Sequence, residues 1–171
     1  MHLRSGRIAA WLAVGALSAS MALAQTILPD QPDWAEADVP PPPTFQTDKL
    51  ISVDVDKRGS LQYGVDPATM SIGKDGVVRY VIVARSPSGA MTAMYEGLRC
   101  GTGEHKVYAR YNDARWAPVA SPQWQSLFDS TRVRYPLALA RQGGCDSKAP
   151  PTSVSDMVRK LKNPAPIVYP G

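Results

Sequence analysis

VVRYVIVAR, residues 77–85, is the stretch on which the fold turns. Six of these nine residues are Val, Ile or Tyr, side chains that suit a pleated, partly buried surface better than a helix. Turn chemistry closes both ends: GKDG at 73–76 carries an Asp-Gly pair, and SPSG at 86–89 combines Pro with Gly. Outward from these turns lie TMSI at 69–72 and AMTAMYEGLRC at 90–100. A further glycine turn, GTG at 101–103, leads into HKVYARY at 105–111. Strands joined by such short loops must pair antiparallel, because a parallel pair needs a long crossover. The expected fold is therefore α+β: an antiparallel β-meander of four or more strands, with one to three short helices packed on it.

The central hairpin has an expected register. With a four-residue loop, Arg85 pairs with Ala90, which sets Tyr80 opposite Tyr95, Arg79 opposite Glu96 and Val81 opposite Met94. Aromatic then meets aromatic and opposite charges meet, each pair contributing about 0.2–1 kcal/mol. Residues 116–141 read as a less regular covering segment, with a short helix over 121–129 opened by Ser-Pro and a helical turn or strand over 135–141. Ser153 caps a last helix through Lys162, with Met157, Val158 and Leu161 on one face and Asn163-Pro164 as its stop.

The N-terminus carries an export pattern. Arg4 and Arg7 precede the apolar run IAAWLAVGALSASMAL at 8–23, and Ala22-Leu23-Ala24 supplies an A-x-A cleavage signature before Gln25. Residues 1–24 are thus read as a signal peptide, 25–44 as a Pro-rich extended linker that includes Pro40 to Pro43, 45–145 as the domain, and 146–171 as a Pro/Lys-rich tail. No membrane span is expected after cleavage. Removing residues 1–24 takes away two arginines and no acid, so the net charge falls from +4 to +2. That is no footprint for nucleic acid, which demands a clustered basic stripe.

Cys100 and Cys145 are the two cysteines. In an exported chain they most simply form one disulfide, worth roughly 4 kcal/mol on the chain-entropy account. The rival readings are a nucleophilic thiol beside His105, the sole histidine left after cleavage, or a metal site, for which two Cys and one His are a poor inventory.

The other chemical motifs are thin. Gly73-x-x-Gly76 lacks phosphate-loop spacing. Ser86 and Ser88 sit in no nucleophile elbow. Asp54 and Asp56, with Asp66 nearby, could serve glycoside cleavage or Ca²⁺, but Lys57 and Arg58 beside them mark a solvated strand face. His105 with Asp113 would make the core of a hydrolase. Neither a cofactor nor a metal motif stands out, and no residue is assigned a catalytic role. Arginine is more telling: Arg79, Arg99, Arg110 and Arg115, interleaved with aromatics such as Trp116, suit a binding face for a partner protein of the cell envelope or for an acidic ligand. Arg132 and Arg134 add to the same bias.

The blocks GVVRY (76–80), RSPSGA (85–90), YEGLRC (95–100) and GEHKVYA (103–109) resemble the cryptic neisserial protein-like family. Val65-Asp66-Pro67, Ser71-Ile72, Trp116 and the second cysteine fit the same pattern, whereas the tail after Cys145 departs from it. The resemblance implies an exported proteobacterial protein of the periplasm with no assigned activity, and it carries over no catalytic residues. The reading is a non-catalytic binding or structural module of the periplasm; the alternative is a periplasmic hydrolase using His105 and a nearby carboxylate.

Overall fold

A computed structural model describes residues 34–55, 59–129 and 134–164. The residues read as a signal peptide, Asp56 and Arg132 lie outside them. The strands are β1 (Ile51–Val53), β2 (Gln62–Val65), β3 (Ser71–Ile72), β4 (Val78–Arg85), β5 (Met91–Arg99), β6 (Glu104–Asn112), β7 (Arg115–Pro118) and β8 (Gln125–Ser126). They form one antiparallel sheet of order β1-β2-β4-β5-β6-β7, with β3 also on β4 and β8 also on β6. Two short helices, α1 (Tyr135–Leu139) and α2 (Val154–Lys162), complete the expected α+β meander. Among the described residues no helix is long and apolar enough to cross a membrane.

The sheet has two apolar faces. On the first, Tyr80, Ile82 and Leu98 pack against Leu139, Met157 and Leu161 of the helical layer. On the second, Val81, Val83 and Tyr95 form a smaller cluster with Phe45 and Trp116 at its edge. A β-bulge between Tyr95 and Glu96 shifts the pairing with β6 there, so that Tyr95 faces Ala109 and Glu96 faces Val107. Gly97 faces the second layer with no room to spare: a Cβ there would lie 2.2 Å from the Tyr108 hydroxyl.

The hairpin register corrects the expected one by a single residue. Ser86 N–H bonds Ala90 O and Gly89 N–H bonds Ser86 O, with Gly89 at φ +86°. This is a turn over residues 86–89 closed by a left-handed glycine, a geometry that lets Ser86 and Ala90 pair and makes the loop three residues long. Arg85 then pairs with Met91, Tyr80 with Glu96, Val81 with Tyr95 and Ile82 with Met94. Because side chains alternate every residue, the slip exchanges which partners meet on each face.

The helix expected over 121–129 is also corrected. Gln125–Ser126 is a strand on β6, opposite His105 and Glu104, and Leu127 N–H bonds Gly103 O at 2.9 Å. β7 covers only the far half of β6, so the remaining edge groups take this segment as their partner. Asp54 lies just past the end of β1 rather than on a strand face.

The last helix follows its capping signals. Ser153 Oγ accepts from Asp156 N–H at 3.1 Å, and Arg159, Lys160 and Lys162 occupy the negative end of the helix. Met157 and Leu161 are fully buried against the first face. Cys100, just after β5, is bonded to Cys145 at the end of the turn that follows α1, which ties the helical layer to the sheet. Neither cysteine is free.

Candidate functional site

The corrected register places Glu96 beside Tyr80 on the helix-covered face, where it is fully buried. The Tyr80 hydroxyl donates to Glu96 Oε2 at 3.0 Å, and the Tyr135 hydroxyl of α1 donates to Oε1. Tyr63 of β2 stacks on Tyr135 with ring centroids 4.5 Å apart. Burial pushes the Glu96 pKa up to about 7, against the Tyr135 and Tyr80 hydrogen bonds and the charge of Arg110, which favour the carboxylate. Burial also raises the Tyr80 and Tyr135 hydroxyls, so both stay protonated donors.

Above this network opens a cleft of about 540 Å³. Its floor is the sheet, with Met94 and Val107; the stacked rings of Tyr63 and of Tyr135 from α1 form one wall and the segment from Val119 to Gln125 another. His105 stands at one end and Arg110 at the other, on one strand and on the face of their partners Leu98 and Met94. Arg110 Nη1 contacts Met94 Sδ at 3.3 Å. His105 Nδ1 is buried without a hydrogen-bond partner, and burial lowers the pKa of the ring, favouring its neutral form. No carboxylate lines the cleft among the described residues. Asp113 lies beyond the opposite end of β6 from His105, about 26 Å away along an extended strand, and cannot assist it.

The opposite face holds Arg79 and Arg99, which the chain itself occupies. Trp34 lies over the Arg99 guanidinium at 3.6 Å, meets Trp124 edge-on, and donates its indole N–H to Asp75 O at 2.9 Å. Two residues on, Glu36 accepts from Lys106 Nζ at 2.5 Å and from the Tyr108 hydroxyl at 2.6 Å. Ala37 N–H bonds Asp75 Oδ2, whose carboxylate also holds Arg79 through two N–H groups at 3.2 and 2.6 Å. Burial alone would raise the Asp75 pKa, but the hydrogen bonds from Arg79, Ala37 and Val77 outweigh it and hold it at about 2.

The five residues proposed from sequence as a binding face therefore do not form one surface. Arg79 and Arg99 lie under residues 34–37. Trp116 packs on Tyr111 and Phe45. Arg115 begins the exposed edge strand β7. Arg110 alone faces the cleft. Tyr80 and Glu96 fall within the GVVRY and YEGLRC blocks, but the expected register sets Glu96 opposite Arg79, and only the observed register places it inward beside Tyr80 and Tyr135. Among the described residues no group of three or more His, Cys, Asp or Glu could hold a metal ion.

The Trp34 anchor has a direct test. Trp34→Ala should lower stability to urea by about 1–2 kcal/mol, through loss of the Arg99 stacking and the Asp75 hydrogen bond. It should also speed hydrogen exchange at Ala37. Unchanged stability with unchanged protection at Ala37 would mean that residues 34–37 hold their place without Trp34.

A family model described as the CNP1-like family matches residues 29–162. That span runs past Cys145 and takes in α2, so the segment after the second cysteine falls within the family pattern. Among curated proteins and solved structures there is no match.

Proposed function

The chain belongs to the CNP1-like family, and on that footing we propose that it is an exported protein of the Gram-negative periplasm, a non-catalytic module that works by binding, with the cleft over Met94 and Tyr135 as its ligand site. The cryptic neisserial protein-like resemblance of residues 76–109 belongs to the same proposal. Export rests on the signal pattern of residues 1–24 and on the bonded cysteine pair, which suits an oxidising compartment.

The observation that carries binding is the cleft: a concavity in the size range of small-molecule sites, apolar along its floor, with a guanidinium at one end. Hydrolysis by His105 has less support, since the ring is held neutral by burial and no carboxylate lines its surroundings among the described residues. The surface around Arg79 and Arg99, attractive for an envelope partner, is already filled by Trp34 and Glu36.

Two measurements test this. The full chain expressed in a Gram-negative host should appear in the periplasmic fraction with Gln25 as its first residue; retention in the cytoplasm with Met1 intact would sink the export reading. Titration with octanamide, a neutral amphiphile, should give saturable one-site binding, with amide shifts confined to residues lining the cleft. Shifts scattered over the surface without saturation would sink the binding reading.

A further inference from the structure

Among the arginines of the sheet, Arg110 is the one that lines the cleft. Arg79 is paired with Asp75, and Arg99 with Glu104 and Trp34. Arg110 has the Met94 thioether as its side-chain hydrogen-bond partner among the described residues. The nearest acid behind it, Glu96, directs both carboxylate oxygens at the Tyr80 and Tyr135 hydroxyls. The guanidinium thus stands at the mouth of the concavity with its donors unclaimed by any carboxylate of the described residues. Its fork geometry matches a carboxylate bidentately.

From Arg110 the floor runs over Met94 and Val107 toward His105, the span of four paired positions on β5, roughly 13 Å. Tyr63 and Tyr135 supply a flat aromatic wall, and Val119 with Pro122 closes the other side. The far end holds His105, whose buried ring offers no counter-charge. One end attracts an anion, and the side formed by Met94, Val107 and Tyr135 accepts hydrocarbon.

We infer that the cleft takes an organic carboxylate with an extended apolar body, its carboxylate on Arg110 and its apolar part along Met94, Val107 and Tyr135. This deepens the proposed function and rests on the cleft being a ligand site. Other organic anions would share the attraction to charge, but the planar two-oxygen match singles out the carboxylate.

The test is a paired titration of the full chain at pH 8 with octanoate and octanamide, followed by amide shifts. Octanoate should bind about tenfold more tightly, the scale of a charge-assisted contact at a partly open site. Arg110→Gln should bring octanoate close to octanamide, weakening octanoate far more than octanamide, and Arg110→Lys should restore part of the difference. Circular dichroism of each variant confirms that it is folded. Equal binding of the two probes would overturn the carboxylate inference and leave the ligand cleft standing. So would an octanoate preference that survives Arg110→Gln, or shifts that map to Arg79 and Arg99. Binding of neither probe would overturn the ligand cleft and the inference with it.

Discussion

The chain with Cys100→Ala and Cys145→Ala is expected to be about 4 kcal/mol less stable than the oxidised chain. The bond joins residues 45 apart in sequence, and opening it frees a long loop in the unfolded ensemble. The same bond ties the end of β5 to the turn after α1, so its loss also loosens the layer that covers Glu96. Urea unfolding should show a lower midpoint, with a steeper dependence on denaturant because the uncrosslinked chain exposes more surface. Reduction of the native chain should act in the same direction. A loss below about 1 kcal/mol would show that the unfolded chain is already held compact without the bond.

Between pH 5 and pH 8, Glu96 should make stability fall by roughly 2–3 kcal/mol as pH rises. The sign follows from its folded pKa of about 7 against an ordinary value of 4.5. The folded protein holds the proton more tightly than the unfolded chain, so the contribution is complete below about 4.5. It is lost as pH rises through 7, when the buried side chain must carry charge among Tyr80, Tyr135, Met94 and Val107. His105 opposes it. Its lowered pKa gives stability that is present above 6.5 and falls away below that, so the net slope of the native chain is shallower than the Glu96 contribution alone. Asp75, held at about 2, stays ionised across the whole window and adds no slope there.

Glu96→Gln isolates the carboxyl group. The amide keeps the shape and an oxygen for the tyrosine hydroxyls but cannot ionise. The variant should be more stable than the native chain at pH 8 and close to it at pH 5. Chemical unfolding of both chains at several pH values measures the difference. Parallel curves across the window would mean that Glu96 keeps one protonation state, and the account of its burial would fail.

The four central strands, their antiparallel pairing and the helix begun by Ser153 were legible from the sequence because local signals carry them. The β-rich run at 77–85, the turns at 73–76 and 86–89, and the Ser cap each act within a few residues. The cysteine pair was legible from its number and from the export pattern read in the sequence. Loop counting was the weak step. Pro87 and Gly89 announce a turn, but whether Ser86 and Ala90 join the ladder depends on the backbone angle of Gly89, and one residue of difference exchanges cross-strand partners along the whole hairpin.

That residue, with the bulge at Glu96, moved the expected partner of Arg79 inward to lie between Tyr80 and Tyr135. Docking of residues 34–37 on the second face joins groups up to 72 positions apart, as in Glu36 with Tyr108, and no local pattern encodes it. The cleft has the same origin. The sequence by itself determined that the four central segments become strands and that Ser153 begins a helix, because propensity, turns and caps are local; the edge strands, including the segment at 125–126 expected as helix, depended on contacts with distant partners. Only the tertiary structure decided which side chains share a face, which charges are already paired and that Arg110 faces the cleft, because those depend on register and on contacts between distant parts of the chain.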